Sequence, residues 1–170
     1  PGSGTEADPY VVENAEDFVS IKNKLSAHYI FISDISVSSN TGAIVEGTFT
    51  GVFDGNGHTV DLSISVESSN TNTFDALFGV STGTIKNLII TGSVSGSDKV
   101  AGVVGKIEGG LVDNCVNYAT ITGKKNVGGI VGLVYKGGAV TNCVNFGSIN
   151  GHKPISKGLD MGGVVGCVWD

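Results

Sequence analysis

From Leu77 onward the apolar residues return at a long, nearly fixed spacing. Ile85, Val112 and Val140 mark one recurring position, Leu88, Cys115 and Cys143 a second, and Val94, Ile121 and Ile149 a third. Between them lie short β-branched runs cut by glycine or by Asn-Gly-like corners, and no stretch keeps a 3.6-residue period for ten residues. The pattern therefore predicts three short strands per copy, joined by turns. Written out, the copies are 77–102, 103–129 and 130–163, with a truncated fourth beginning at 164 as "VVGCVWD". One such coil cannot bury its own inner face, but copies stacked about 4.8 Å apart place like residue over like and close a core. The expected fold class is all-β, a parallel β-helix or β-solenoid.

The anchoring glycines Gly79, Gly105, Gly132 and Gly166 set successive steps of 26, 27 and 34 residues. The longer step comes from extra residues around "HKPISKGLD" (152–160), expected to bulge as a loop from one corner. Asn87, Asn114 and Asn142 also fall in register. Stacked asparagines at a bend can satisfy one another and the turned backbone, so a structural ladder is expected there. Cys115 and Cys143 share one position of the repeat and are read as small buried apolar residues. A leucine-rich repeat has a similar period, but its leucine ladder and helical segments are missing.

Residues 1–76 precede the clear repeats. In "ENAEDFVSIKNKL", Asn14 is a natural N-cap, Glu16 and Asp17 sit in the first turn, and Phe18, Ile21 and Leu25 share a face. This predicts a helix over about 14–25 that covers the open end of the first coil, where exposed strand edges would otherwise pair with other molecules. "HYIFISDISVS", "AIVEGTFTGVF" and "HTVDLSISV" alternate as strands and are expected to form irregular first coils, in one continuous domain with the repeats. The C-terminus stops inside a fourth copy, so the natural polypeptide is expected to continue into further domains.

Composition narrows the function classes. The 170 residues include 27 glycines, three prolines, ten lysines and no arginine, with a formal charge of −6. A phosphate backbone would meet net repulsion, so nucleic acid is not an expected partner. No apolar run reaches the roughly 20 residues of a transmembrane helix, and the chain reads as soluble with any export signal removed. Three cysteines lack the CxxC spacing of a zinc or redox site.

Taken together, "GSGTEADPYVVENAEDF", "FTGVFDGNGHTVDLSI", "ALFG" with "GTIKNLII", and "VGGIVG" resemble the GLUG-repeat proteins of bacterial surfaces, whose repeats are similar to those in noncatalytic regions of bacterial immunoglobulin A peptidases. The resemblance covers nearly the whole chain. It implies a right-handed β-helix on a secreted or cell-surface protein of several domains, with adhesion or scaffolding as its role. It brings no catalytic residues.

Few positions carry the residue pattern of a catalytic site. "GVSTG" places Ser81 in a G-x-S-x-G pattern, but a strand follows it where a nucleophile elbow needs a helix. "GNGHTV" lacks the third glycine of a dinucleotide fingerprint and reads as a tight turn, with His58 beside Asp54. Lyases and hydrolases on β-helices use a basic residue, commonly Arg, with an acidic cluster, or else close carboxylates. Here arginine is absent, and Asp113 aligns with Lys86 and Thr141 rather than with other acids. HExxH is missing, and no residue set asks for a metal or cofactor. "SVS" (93–95), "TIT" (120–122) and "SIN" (148–150) would stack as hydroxyl columns on an outward face. Tyr118 and Phe146 align beside Asn117 and Asn145, with Tyr135 near another corner. These five residues form either a sugar-binding platform or, for the rings, a ladder packing a corner. The expectation is a non-enzymatic adhesion or interaction module binding a glycan, mucin or matrix protein. The alternatives are a spacer domain and, from another class, a carbohydrate-active enzyme.

Overall fold

A computed structural model describes residues 2–67, 72–152 and 159–170. Every strand pairing in it is parallel, as stacked coils require. Four sheets run along the stack. Sheet 1 holds Tyr10–Val12, His28–Phe31, Val52–Asp54, Thr84–Lys86, Leu111–Asp113 and Ala139–Thr141. Sheet 2 holds Ile35–Ser39, Thr59–Ser65, Ile89–Ser95, Val116–Asn117 with Thr120–Gly123, and Val144–Asn145 with Ile149–Gly151. Sheet 3 is the short one, with Asp98–Ala101, Lys125–Gly128 and Met161–Gly162. Sheet 4 holds Val45–Phe49, Phe78–Ser81, Val104–Glu108, Val131–Tyr135 and Val165–Trp169. The chain is a parallel β-solenoid.

Register follows the apolar columns. Ile85 pairs with Val112, and Val112 with Val140. Val94 pairs with Ile121, and Ile121 with Ile149. The strands before Leu77 join the same ladders: Tyr29 pairs with Phe53 and Phe53 with Ile85. What makes those first coils irregular is sheet 3, which begins only at Asp98 and is met earlier by a single bridge from Asp75 to Val100. The loop expected over 152–160 falls largely on residues 153–158, outside the described residues.

The glycine column shows how close the coils come on sheet 4. A Cβ on Gly105 would stand 2.8 Å from the Gly79 carbonyl oxygen, one on Gly132 2.7 Å from that of Gly105, and one on Gly166 2.7 Å from that of Gly132. No side chain fits between a glycine and the carbonyl below it, so the spacing of these glycines is the spacing of the coils.

The helix is shorter than its pattern predicts. It spans Ala15–Ser20 and tightens into a 3-10 turn at Ile21–Asn23. Asn14 caps it, its side chain accepting the Asp17 N–H at 3.0 Å. The turn ends early because the Leu25 carbonyl is drawn into the next coil, where it accepts the N–H groups of Thr50 and Gly51. Phe18, fully buried, does more than cover the first coil. Its ring meets Phe53 and Phe78 edge-on at 5.5 and 5.6 Å and tilts against Phe31 at 5.7 Å. Those rings fill the wide first coils, and the core then narrows to the Ile85, Val112, Val140 column. Phe18→Ala is expected to cost about 3–5 kcal/mol, with Phe18→Leu costing much less. Urea unfolding checks this, and equal midpoints for Phe18→Ala and the unaltered chain would remove the helix from the core.

Candidate functional site

The corner after sheet 1 is built from asparagine. Asn87, Asn114 and Asn142 adopt left-handed backbone with φ of 56°, 50° and 52°, a region asparagine tolerates better than other residues with a Cβ. Asn114 Nδ2 donates to Asn87 Oδ1 at 2.8 Å, and Asn87 Nδ2 donates to Asp54 Oδ1 at 2.9 Å. The column does not continue unchanged, because Asn142 Nδ2 donates instead to Asp113 Oδ1 at 2.7 Å, beside the Thr141 hydroxyl at 2.6 Å. These carboxylates hold the bend. Hydrogen bonds from Thr141 and Asn142 keep Asp113 below the usual carboxylate range. Partial burial pushes Asp54 up, yet donation from Asn87, the Asn56 N–H and Lys86 outweighs it and leaves Asp54 lowered.

Cys115 is buried just inside this corner and Cys143 is half-buried; both are free thiols. The Cys115 N–H points at Cys143 Sγ, 3.4 Å away, and contact with Cys143 together with burial pushes the Cys115 thiol up. Cys143 goes the other way: hydrogen bonding from Cys115 outweighs its partial burial and leaves its thiol below the ordinary cysteine range.

A second asparagine pair shapes sheet 2. Asn117 Oδ1 accepts the Ala119 N–H at 3.1 Å, and Asn145 Oδ1 accepts the Gly147 N–H at 3.1 Å. Asn117 Nδ2 also donates to Asn145 Oδ1 at 2.8 Å, tying the two coils together. Each asparagine thus folds beneath its own turn and throws the next residue outward. The outcome separates the four residues that sequence places side by side. Asn117 is fully buried, Asn145 half-buried, and both amides are occupied by backbone and by each other, so the fold uses them to support their turns. Tyr118 and Phe146 are 54% and 65% exposed, and their rings stack at 5.2 Å with planes 17° apart.

Beside this pair, sheet 2 turns a flat hydroxyl-rich face outward. Ser93 pairs with Thr120, and Ser95 with Thr122, which pairs in turn with Asn150. The columns reach further back than the three repeats, since Ser63 pairs with Ser93 and Ser65 with Ser95.

Tyr135 lies elsewhere. It pairs with Glu108 and Trp169 on sheet 4 and lines a groove of about 480 Å³ that also takes residues from sheet 3. Sequence reasoning passed over its other members, Lys99, Lys106, Lys125 and Trp169, because none of the lysines shares a repeat position with a second basic residue. The Glu108, Tyr135, Trp169 column was the available signal. Under the groove sits a buried polar cluster. Asp98 Oδ2 holds the Lys99 ammonium at 2.7 Å, and Asp98 Oδ1 accepts Asn126 Nδ2 at 2.7 Å. Asp75, also buried, accepts the Ser97 N–H and the Thr73 hydroxyl, each at 2.8 Å.

The remaining candidates resolve into scaffolding. Ser81 is buried, donating to the Phe49 carbonyl and accepting the Gly83 N–H. His58 meets Asp34 at 3.1 Å rather than its sequence neighbour Asp54. Asp34 lies below its ordinary range, first through the Thr59 N–H and then through His58, so the pair braces a corner. Among the described residues no three His, Cys, Asp or Glu side chains converge as metal ligands, and no helix is long and apolar enough to cross a membrane.

Against known proteins, no family model matches the chain. It is 34% identical over 149 residues to halomucin of Haloquadratum walsbyi, an alignment covering 62% of this chain and 2% of halomucin. Its fold is similar to the crystal structure of a candidate immunoglobulin A1 protease from Bacteroides ovatus, with a TM-score of 0.59 and 20% identity. That likeness covers 99% of this chain and 64% of the other. The chain therefore spans a small part of halomucin and under two thirds of the solved structure.

Burial pushes the Asp75 carboxyl above its ordinary value, against the hydrogen bonds from Ser97 and Thr73 and with the Asp98 charge adding to the rise. A raised folded pKa favours the protonated acid, so this stability is present below the ordinary value of 3.8 and lost as pH climbs through the raised one. Asp75→Asn is expected to melt higher than the unaltered chain at neutral pH, with the gap closing toward about pH 3. Melting curves from acid to neutral pH test this, and a gap independent of pH would contradict it.

Proposed function

We propose that this chain is a non-enzymatic, extracellular β-helix module that mediates adhesion or interaction for a larger surface or secreted protein. The observation that carries the reading is the Tyr118 and Phe146 pair, two stacked rings held out of the fold by buried asparagines. Leaving rings of that size in water is unfavourable unless a partner covers them. The stacked rings put exposed apolar surface beside serine and threonine hydroxyls, a mixture that suits a sugar, so the ligand is a glycan, alone or carried on a mucin or matrix protein. The carboxylates that an enzyme of this fold would need are taken up elsewhere: Asp54 and Asp113 by corner donors, Asp98 by Lys99 and Asn126, Glu108 by Lys106 and Lys136. Similarity to a stretch of halomucin supports placing the module in a long protein with further domains. That same proportion, 2% of halomucin, favours a second reading in which the solenoid is a spacer.

A screen against arrayed glycans, mucins and matrix proteins separates the two. The module reading expects saturable binding that weakens about tenfold or more in Tyr118→Ala or Phe146→Ala, because a stacked aromatic anchor dominates a small contact. Both variants should melt like the unaltered chain. Silence across all three classes from a folded domain would leave the spacer.

A further inference from the structure

We propose that the groove between sheets 3 and 4 binds an acidic polysaccharide, a chain of sugars bearing carboxylate or sulfate groups. This site is separate from the Tyr118 and Phe146 pair and does not depend on it.

Charge is the first observation. The chain carries −6 overall and has only ten basic side chains, yet among the described residues the groove lining holds Lys99, Lys106 and Lys125 against the single carboxylate of Asp98. Asp98 pairs with Lys99 and Glu108 with Lys106, so the positive charge left over in the cleft is that of Lys125, opposite in sign to the net charge of the chain. The three ammoniums are not equivalent. Lys99 is nearly buried and held by Asp98 at 2.7 Å and by Asn72 at 3.1 Å, a neutralised pair that forms the wall. Lys106 is held by Glu108 at 2.7 Å. Among the described residues Lys125 meets the Trp169 ring, 5.9 Å from its Nζ, and no carboxylate, which makes it the cation available to an incoming anion.

Ring chemistry is the second observation. Tyr135 and Trp169 are register partners on adjacent coils, and Trp169 is 51% exposed. Their backbones lie one coil apart, about 4.8 Å, so both rings project from the same face on successive coils, where an extended sugar chain can run along the solenoid axis. Lys106 Nζ sits 4.7 Å from the Tyr135 centroid and Lys136 Nζ 4.9 Å, so cations flank the same face. A neutral sugar has no use for the lysines, and an aliphatic acid has none for the rings. Single-stranded nucleic acid also offers both anion and ring, and binding of oligo-dT alone is the outcome that would put it in place of the sugar.

The test is calorimetric titration of the chain with oligogalacturonate, with a heparin-derived oligosaccharide, with a neutral galactan oligomer of equal length, and with oligo-dT. Expected is saturable binding of one or both acidic sugars, weakened by added salt, with the neutral oligomer at least about tenfold weaker. Which acidic sugar wins tells carboxylate from sulfate. Lys125→Gln and Trp169→Ala, both altering exposed or half-exposed groups, should each weaken binding about tenfold, while Tyr118→Ala leaves it unchanged. The proposal is overturned if the neutral oligomer binds as well as the acidic ones, if oligo-dT alone binds, if neither groove variant has an effect, or if no acidic sugar binds. Loss in Tyr118→Ala with the groove variants unaffected would move the ligand to the ring platform and overturn the groove instead.

Discussion

Each coil buries its inner face only by lying directly on the coil beneath it, and every other feature of this molecule obeys that contact. Parallel strands stacked at one spacing must repeat their residues in register, because a shift of one position would turn an apolar column out to water. The glycine column of Gly79, Gly105, Gly132 and Gly166 shows how little slack exists, since each glycine rests against the carbonyl of the one below. Phe18 closes the end of the stack that would otherwise expose the rings of Phe31, Phe53 and Phe78.

Corners are where stacking is hardest to satisfy, because the backbone turns there and leaves N–H and C=O groups without ladder partners. Polar side chains do that work here. The Asn87 and Asn114 pair takes left-handed backbone and hydrogen-bonds along the axis, while Asn117 and Asn145 fold under their own turns. Scaffolding of this kind absorbs most of the side chains that look chemical in the sequence, including Ser81, His58 and Asp113.

Both proposed sites lie on outward faces: a stacked aromatic pair on sheet 2, and a lysine and ring groove between sheets 3 and 4. They lie on different sheets of one stack. A solenoid suits this division, because residues facing outward can vary without disturbing the columns that face in.

The repeat was legible in the sequence because a period of stacked residues is a one-dimensional signal: the columns through Ile85, Val94 and Gly79, the cap at Asn14 and the Asn87 corner could all be aligned by eye. Side-chain direction was not. Asn117 and Tyr118 are neighbours in sequence, yet an Asx turn sends one into the core and the other into solvent, and no spacing rule reveals that sense. His58 pairs with Asp34, 24 positions away, instead of the adjacent Asp54. The groove was hidden for the same reason, since Lys99, Lys106, Lys125 and Trp169 hold unrelated places in the repeat and meet only where two sheets come together at an angle of the coil. Sequence alone determined the period, and with it which residues stack. Tertiary structure decided what each corner turns inward and what it leaves facing water, because that depends on hydrogen bonds between coils rather than along the chain.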